Sequence, residues 1–214
     1  DRNAEKDLSI IPLSQEDGNI SIRDLRAIKR VVDKEIPLVV RVDKSSDILT
    51  ILDLAKRIDI ELIIAGASEG WMVANELADS GVPVILTPID NIPSSFDSLG
   101  SRLDNASILH KAGVKLIISS HETHNAYLSR QGAGIAVSYG LPWEEAIKAL
   151  TINISESFNL DKLGAIKPGY KADLVVWDGD PLEVTSFVER VFISGKEVPV
   201  ENRSMRLRDR YLEN

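Results

Sequence analysis

Two of the three histidines in the sequence, His121 and His124, lie three residues apart. They follow the apolar run 114–118, which predicts a buried strand, and they precede a segment with helical spacing. In α/β proteins, the residues that carry out chemistry lie where a strand ends and a helix begins. An i, i+3 spacing can place both imidazoles on one helical face, where they could bind a metal ion with help from Glu122. Residues 119–131 are therefore the first candidate for an active site.

Two other interpretations of this stretch stay open. His121, His124 and Asn125 could contact a substrate, or they could begin a helix that Thr123 or Asn125 caps. Arg130, early in the predicted helix, could bind an anion or could be a solvated surface residue.

Arg41 and Asp43 form a second candidate pair, at the end of the apolar run 38–42. Residues two apart in a strand project to the same face. The arginine could hold a substrate carboxylate through two parallel hydrogen bonds, with Asp43 orienting it. The alternative is a structural ion pair without a ligand.

The composition limits the class of protein. The 214 residues, 43% hydrophobic and 27% charged, are enough for one sizeable core. A net charge of −8 argues against a nucleic-acid partner, and the absence of cysteine excludes disulfides and thiolate-bound zinc. No apolar run approaches the roughly 20 residues of a membrane span, so we expect a soluble protein. Since the first residue is Asp1 rather than methionine, we also expect the chain to be part of a longer protein.

The elements that must position these residues repeat along the chain. Apolar runs at 38–42, 60–65, 82–87 and 114–118 predict strands, and segments with helical spacing follow them. Strands that are apolar throughout and separated by helices indicate a parallel sheet with right-handed crossovers. About four βα units are too few to close an eight-stranded barrel, so they form either an open sheet or half of a barrel. The long loop at 88–100 could be an active-site flap or a loose connection.

The pattern changes after residue 159. Turn-rich segments and predicted strands at 172–177 and 188–193 indicate a small antiparallel β element. The predicted organisation is an entry segment (1–19), a βα part (20–159), a β element (160–200) and a charged, helical or frayed tail (201–214).

The β element carries recognisable motifs. Residues 163–181, LGAIKPGYKADLVVWDGDP, and 191–196, VFISGK, resemble the C-terminal end of the amidohydrolase superfamily, in particular imidazolonepropionase-like and Xaa-Pro-dipeptidase-like members. Residues 140–153, GLPWEEAIKALTIN, resemble a helix of the same family, although Ile154 and Ser155 stand where the family has Pro-Ala. The resemblance covers roughly residues 20–198.

This resemblance implies a (β/α)8 barrel with a small β-sandwich built from both ends of the chain. Only the second half of the barrel and the C-terminal part of the sandwich would be present here. We therefore expect a partner, which would be either an N-terminal half of the barrel or a second subunit. Family members hydrolyse C–N bonds of small molecules with one or two divalent metal ions that activate water.

The residues at the family's ligand positions do not suit a metal ion. Arg41 stands where the fifth strand has a histidine, and a guanidinium cannot coordinate a metal. The sixth strand ends at Gly66 without an imidazole, and Ser119 and Ser120 stand where the eighth strand has an aspartate. We expect no metal cofactor, with zinc at His121 and His124 as the weaker alternative.

Two functions follow from the resemblance. One is a hydrolase that acts on a C–N bond in a small amide or peptide-like substrate, with a degenerate metal site. The other is a non-catalytic, metal-free relative that binds a small carboxylate or a partner protein.

Overall fold

The computed structural model describes residues 22–120, 123–201 and 203–212. The first part of the described chain alternates helices and strands: α1 (Ile22–Val32), β1 (Leu38–Val42), α2 (Ser45–Ile58), β2 (Leu62–Gly66), α3 (Ala74–Ser80), β3 (Val84–Leu86), α4 (Asn105–Ala112) and β4 (Leu116–Ile118). The second part contains α5 (Leu128–Ser138), α6 (Trp143–Leu150), α7 (Ile152–Ser157), β5 (Leu174–Trp177), β6 (Val188–Ile193), β7 (Lys196–Val198) and α8 (Arg203–Leu212).

Strands β1 to β4 form a parallel sheet in the order of the sequence. The register places Val40 beside Ile64, Ile64 beside Val84, and Val84 beside Leu116. The mixed α/β class and the parallel sheet are confirmed. Because all four strands run the same way, their carboxyl ends meet on one side of the molecule.

The core lies between this sheet and the helices. Ile64, Val84 and Ile118 of the sheet belong to one buried cluster with Ile48 of α2, Leu77 of α3 and Leu109 of α4. Ile63, which points away from that cluster, is also buried. Burial on both faces explains why β2, β3 and β4 are apolar throughout, and each fully buried large aliphatic side chain contributes about 1.5–3 kcal/mol.

Val39 and Val84 differ in exposure. A half-barrel on its own is expected to expose apolar surface at both residues. In the structure, 44% of Val39 is exposed, whereas Val84 is fully buried. The expectation is wrong for Val84 because β3 lies between β2 and β4. Among the described strands, β1 pairs only with β2, so its other side carries unpaired backbone groups.

Two predicted helices begin later than their patterns suggested. The segment at 69–80 starts as a 3₁₀ turn, Gly70–Val73, before α3. The segment after His124 likewise starts as a 3₁₀ turn, Thr123–Asn125, and α5 begins at Leu128. Tight turns of this kind close the short connections from strand to helix.

The C-terminal β element is an antiparallel sheet in the order β5, β6, β7. Strands β5 and β6 confirm the predicted strands. Strand β7 was not predicted, since three residues are too few for a periodic pattern. Ser194 and Gly195, both with positive φ, form the two-residue turn between β6 and β7. Within the described residues, every helix is too short or too polar to cross a bilayer.

Candidate functional site

A pocket of about 400 Å³ lies at the carboxyl ends of the parallel strands. One side is lined by Arg41, which lies in β1, and by Asp43, which follows β1. Another side is lined by Gly66, the last residue of β2, and by Ser68. The loop that follows β3 supplies the remaining wall: Thr87, Asp90, Asn91, Ile92, Ser94, Ser95 and Ser98. The parallel register therefore brings three separate chain segments to one cavity.

The carboxylate of Asp43 is held by the residues that follow β2, which are called the β2 exit (67–69), as the residues that follow β1 are called the β1 exit (43–45). Its Oδ1 accepts hydrogen bonds from the Ser68 hydroxyl at 2.6 Å and the Ser68 backbone N–H at 3.2 Å. The same oxygen lies 2.7 Å from the position that a Cβ atom on Gly66 would take. Gly66 also has a φ of 95°, which L side chains rarely adopt. Asp43 therefore occupies the space that a side chain at position 66 would need.

A second carboxylate makes the reciprocal connection between the same two loops. Glu69 Oε2, after β2, accepts hydrogen bonds from the backbone N–H of Ser45 at 3.0 Å and from its hydroxyl at 3.2 Å. Ser45 is the first residue of α2, so the carboxylate satisfies a free N–H at the positive end of that helix. The β1 and β2 exits are thus held together by a carboxylate from each side.

Asn105 holds the backbone of the β2 exit through a hydrogen bond. Its side chain is fully buried, and Nδ2 donates a 2.9 Å hydrogen bond to the carbonyl oxygen of Ala67. Ala67 has a φ of 50°, which costs about 1–2 kcal/mol for a residue with a Cβ atom. The sequence alone does not reveal this role of Asn105, because its partner lies 38 residues away.

The long loop after β3, predicted as a possible flap, lines the pocket through its serines. Ser98 Oγ accepts hydrogen bonds from the backbone N–H groups of Ser95 at 3.0 Å and Ser94 at 3.2 Å. Lys44 pairs with Asp97 of the loop at 2.8 Å, and this hydrogen bond raises the pKa of the Lys44 ammonium. The loop is therefore joined directly to the β1 exit.

The far end of this loop is held by Trp71. The indole N–H donates a 2.8 Å hydrogen bond to the carbonyl oxygen of Gly100, and the Arg102 guanidinium lies 4.7 Å from the ring centroid. Trp71 is thus a packing residue that holds this end of the loop.

Arg130 lies among different partners. Its Nη1 donates hydrogen bonds to the carbonyl oxygens of Pro181 at 2.9 Å and Glu183 at 2.7 Å, and its guanidinium lies 4.8 Å from the Trp177 ring centroid. These contacts attach the segment after β5 to α5. We predicted an anion contact or a solvated surface position for Arg130, and the pocket described above does not include it.

The histidine stretch is only partly described. His121 and Glu122 lie outside the described residues. His124 is exposed in the 3₁₀ turn and Asn125 is half-buried there. Before them, the Ser119 hydroxyl donates a 3.2 Å hydrogen bond to the carbonyl oxygen of Ser120.

Two of the residues at the carboxyl ends cannot coordinate a divalent metal ion. Arg41 is a permanent cation and Gly66 has no side chain. In the described part of the chain, no three His, Cys, Asp or Glu side chains gather closely enough to hold a metal. Zinc sites in proteins take at least three such ligands.

Comparisons with known proteins agree with the architecture. A model of the amidohydrolase family matches residues 42–198. A crystal structure of an amidohydrolase from Thermotoga maritima superimposes with a TM-score of 0.79 at 28% identity, covering 92% of this chain and 52% of that one. A prolidase crystallised with N-methylphosphonate-L-proline has a TM-score of 0.63 at 21% identity, covering 86% of this chain and 50% of that one, and shows the fold alone.

Two relatives match shorter stretches. An adenine deaminase from Desulfitobacterium hafniense is 41% identical over 68 residues, which are 32% of this chain and 11% of that protein. The amidohydrolase tasK from Hapsidospora irregularis is 35% identical over 90 residues, 41% of this chain and 9% of that protein. The chain thus spans about half the length of the solved structures it matches and a much smaller share of these two relatives.

Proposed function

This chain belongs to the amidohydrolase family, and we propose that its residues 20–159 form the second half of a (β/α)8 barrel. Four parallel strands in sequence order, and coverage of 52% of the Thermotoga maritima structure, support this arrangement. In the same proposal, residues 160–200 contribute strands to a β-sandwich and 201–214 follow it, whereas the expected entry segment at 1–19 lies outside the described residues. The exposed side of β1 is where an N-terminal half of the barrel would pair.

The function that the geometry supports best is binding of a small carboxylate in the pocket at the strand ends. The observation that carries it is the position of Arg41, which lines the pocket beside Asp43. Ser68 holds the Asp43 carboxylate through two hydrogen bonds. A guanidinium binds a carboxylate through two parallel hydrogen bonds. Ser94 and Ser95 line the same cavity and offer hydroxyl groups to the rest of a polar ligand.

Hydrolysis of a C–N bond is a second candidate, favoured by the family itself. The matching relatives include proteins named adenine deaminase and amidohydrolase. Amidohydrolases use divalent metal ions to activate water, and the described residues of this chain do not form such a site. The hydrolase would therefore depend on ligands from other parts of the full-length protein, or on His121 and His124.

Calorimetry on the full-length protein tests carboxylate binding. The probes are small N-acyl amino acids, each compared with its neutral amide, such as N-acetyl-L-alanine and N-acetyl-L-alaninamide. We expect the acids to bind and the amides to bind at least tenfold more weakly. Arg41→Gln should remove the difference, whereas Arg57→Gln, on the exposed face of α2, should preserve it. Equal binding of acid and amide, or no binding by any pair, contradicts the proposal.

Metal analysis separates the two candidates. One equivalent of zinc retained by the full-length protein, and lost in His121→Ala, would support a hydrolase. Carboxylate binding that persists after exhaustive chelation, with Arg41 still required, would support the metal-free binding protein.

A further inference from the structure

The terminal helix α8 differs in charge from the rest of the chain. Its ten residues include four arginines and one aspartate, although the whole chain has a net charge of −8. None of its residues is buried. Met205 and Asp209 are half-buried, so the side of α8 that carries them is the less exposed one. The opposite side is therefore the one available to a partner.

The outward side of α8 is apolar at its centre and basic at its border. Leu207 and Tyr211, four residues apart, form one ridge, with 39% and 72% of these residues exposed. Arg203 and Arg210 lie beside that ridge on the helical wheel, and the Arg210 guanidinium lies 5.9 Å from the Tyr211 ring centroid. A helix of ten residues is about 15 Å long, which suits a short groove between two helices.

A groove of complementary character lies between α2 and α3. It encloses about 570 Å³. Its floor is apolar and includes Leu49, Leu52, Ile60 and Val82, and its border is acidic, with Asp53, Asp59, Glu76 and Asp79. Leu49 is 41% exposed, so the floor is open to solvent.

Neighbouring cations neutralise part of the acidic border, and Lys56 also lines the groove. Asp53 pairs with Arg57, and Asp59 pairs with Lys34, both through exposed contacts. No ion pair joins Glu76 or Asp79 to another of the described residues. The α3 side of the groove therefore keeps the negative charges of Glu76 and Asp79, which would attract a basic helix.

We propose that α8 of one copy of this chain docks into the α2–α3 groove of a second copy. Leu207 and Tyr211 would cover the apolar floor, while Arg203 and Arg210 would lie against Glu76 and Asp79. The occupant is a second copy because the basic helix and the groove that complements it belong to the same chain, and both are exposed within one chain. Reciprocal exchange of the two helices would give a closed dimer with two equivalent contacts.

Sedimentation equilibrium of the full-length protein tests this contact. We expect a dimer whose dissociation constant rises at least tenfold in Arg203→Glu/Arg210→Glu, and equally in Glu76→Arg/Asp79→Arg. The variant that carries all four substitutions should recover the original dissociation constant to within a few-fold, because the charges are exchanged across the contact. A control with the same change in charge, Lys111→Glu/Lys167→Glu, should leave the dimer unchanged.

Three results would overturn the proposal. One is a protein that remains monomeric in low salt at protein concentrations up to about 100 µM. Another is a dimer that neither charge reversal weakens, since it would use a different surface. The last is a monomer that cosediments with phosphatidylserine vesicles through Arg203 and Arg210, which would assign the helix to an anionic membrane instead.

Discussion

Asp43 Oδ1 lies 2.7 Å from the position that a Cβ atom on Gly66 would occupy, and Ser68 holds that oxygen in place. The two positions therefore depend on each other. A side chain at position 66 would require Asp43 to move, and moving Asp43 would break its hydrogen bonds with Ser68. A single substitution to histidine at Gly66 should not produce a metal site.

A double-mutant cycle measures this dependence. Gly66→Ala should destabilise the protein through both the backbone φ of 95° and the contact with Asp43. In an Asp43→Ala background the backbone cost stays and the contact is gone, so the substitution should cost about 1 kcal/mol less. Urea denaturation of the four proteins gives the coupling free energy. An identical cost in both backgrounds would show that the two residues are independent.

Two glycines of α5 should respond oppositely to alanine. A Cβ atom on Gly134 would lie 2.8 Å from the Leu182 carbonyl oxygen, whereas one on Gly132 would lie 3.4 Å from its nearest neighbour, Pro88 Cδ. Gly134→Ala should cost about 1–3 kcal/mol because backbone must move. Gly132→Ala should be neutral or stabilise by up to about 1 kcal/mol through helix propensity. Thermal denaturation compares them, and equal shifts would contradict the packing of residue 182 on α5.

Arg130→Lys should loosen the segment after β5. Lysine keeps the charge but cannot span the carbonyl oxygens of Pro181 and Glu183 while stacking on Trp177. We expect limited proteolysis to cleave within 180–187 at least several-fold faster, with little change elsewhere. Arg57→Lys, at an exposed pair on α2, is the control. Unchanged cleavage would mean that other contacts hold the segment.

The Arg102–Asp104 pair should contribute to stability only above acidic pH. Two hydrogen bonds, at 2.8 and 2.7 Å, join the guanidinium to the carboxylate, and they lower the pKa of Asp104. A carboxyl group whose pKa is lower in the folded state stabilises the fold above its unfolded pKa of about 3.9 and loses that contribution as the pH falls through the folded pKa. The effect is small because the pair is exposed.

Asp104→Asn measures this contribution. The difference in unfolding free energy between the parent protein and the variant should be constant from pH 7 to 5 and should shrink between about pH 4 and 2. A difference that stays constant down to pH 2 would show that Asp104 titrates normally.

The parallel sheet could be predicted because each strand has its own local signal. The run that became β2 is apolar throughout, and its Leu62, Ile63 and Ile64 are buried, a pattern typical of strands that are covered on both faces. Arg41 and Asp43 could also be predicted as pocket residues, since a strand end is visible in the sequence.

The residues that hold Asp43 and the strand ends in place could not be predicted. Ser68 and Asn105 act through partners 25 and 38 residues away, so their roles depend on the register between strands. Arg130 was predicted as an anion contact or a surface residue because its carbonyl partners belong to the backbone of a later loop, which leaves no trace in side-chain types.

The distance along the chain between Arg130 and Pro181 also affects how the protein is made. The two residues are 51 positions apart. A ribosome that adds roughly 5–20 residues per second delivers Pro181 about 3–10 s after Arg130. During that interval the guanidinium has none of its carbonyl partners, and the surface around Gly134 is uncovered. The newly made α5 must therefore remain tolerant of water, or be shielded by a chaperone, until Pro181 and the residues that follow it have emerged.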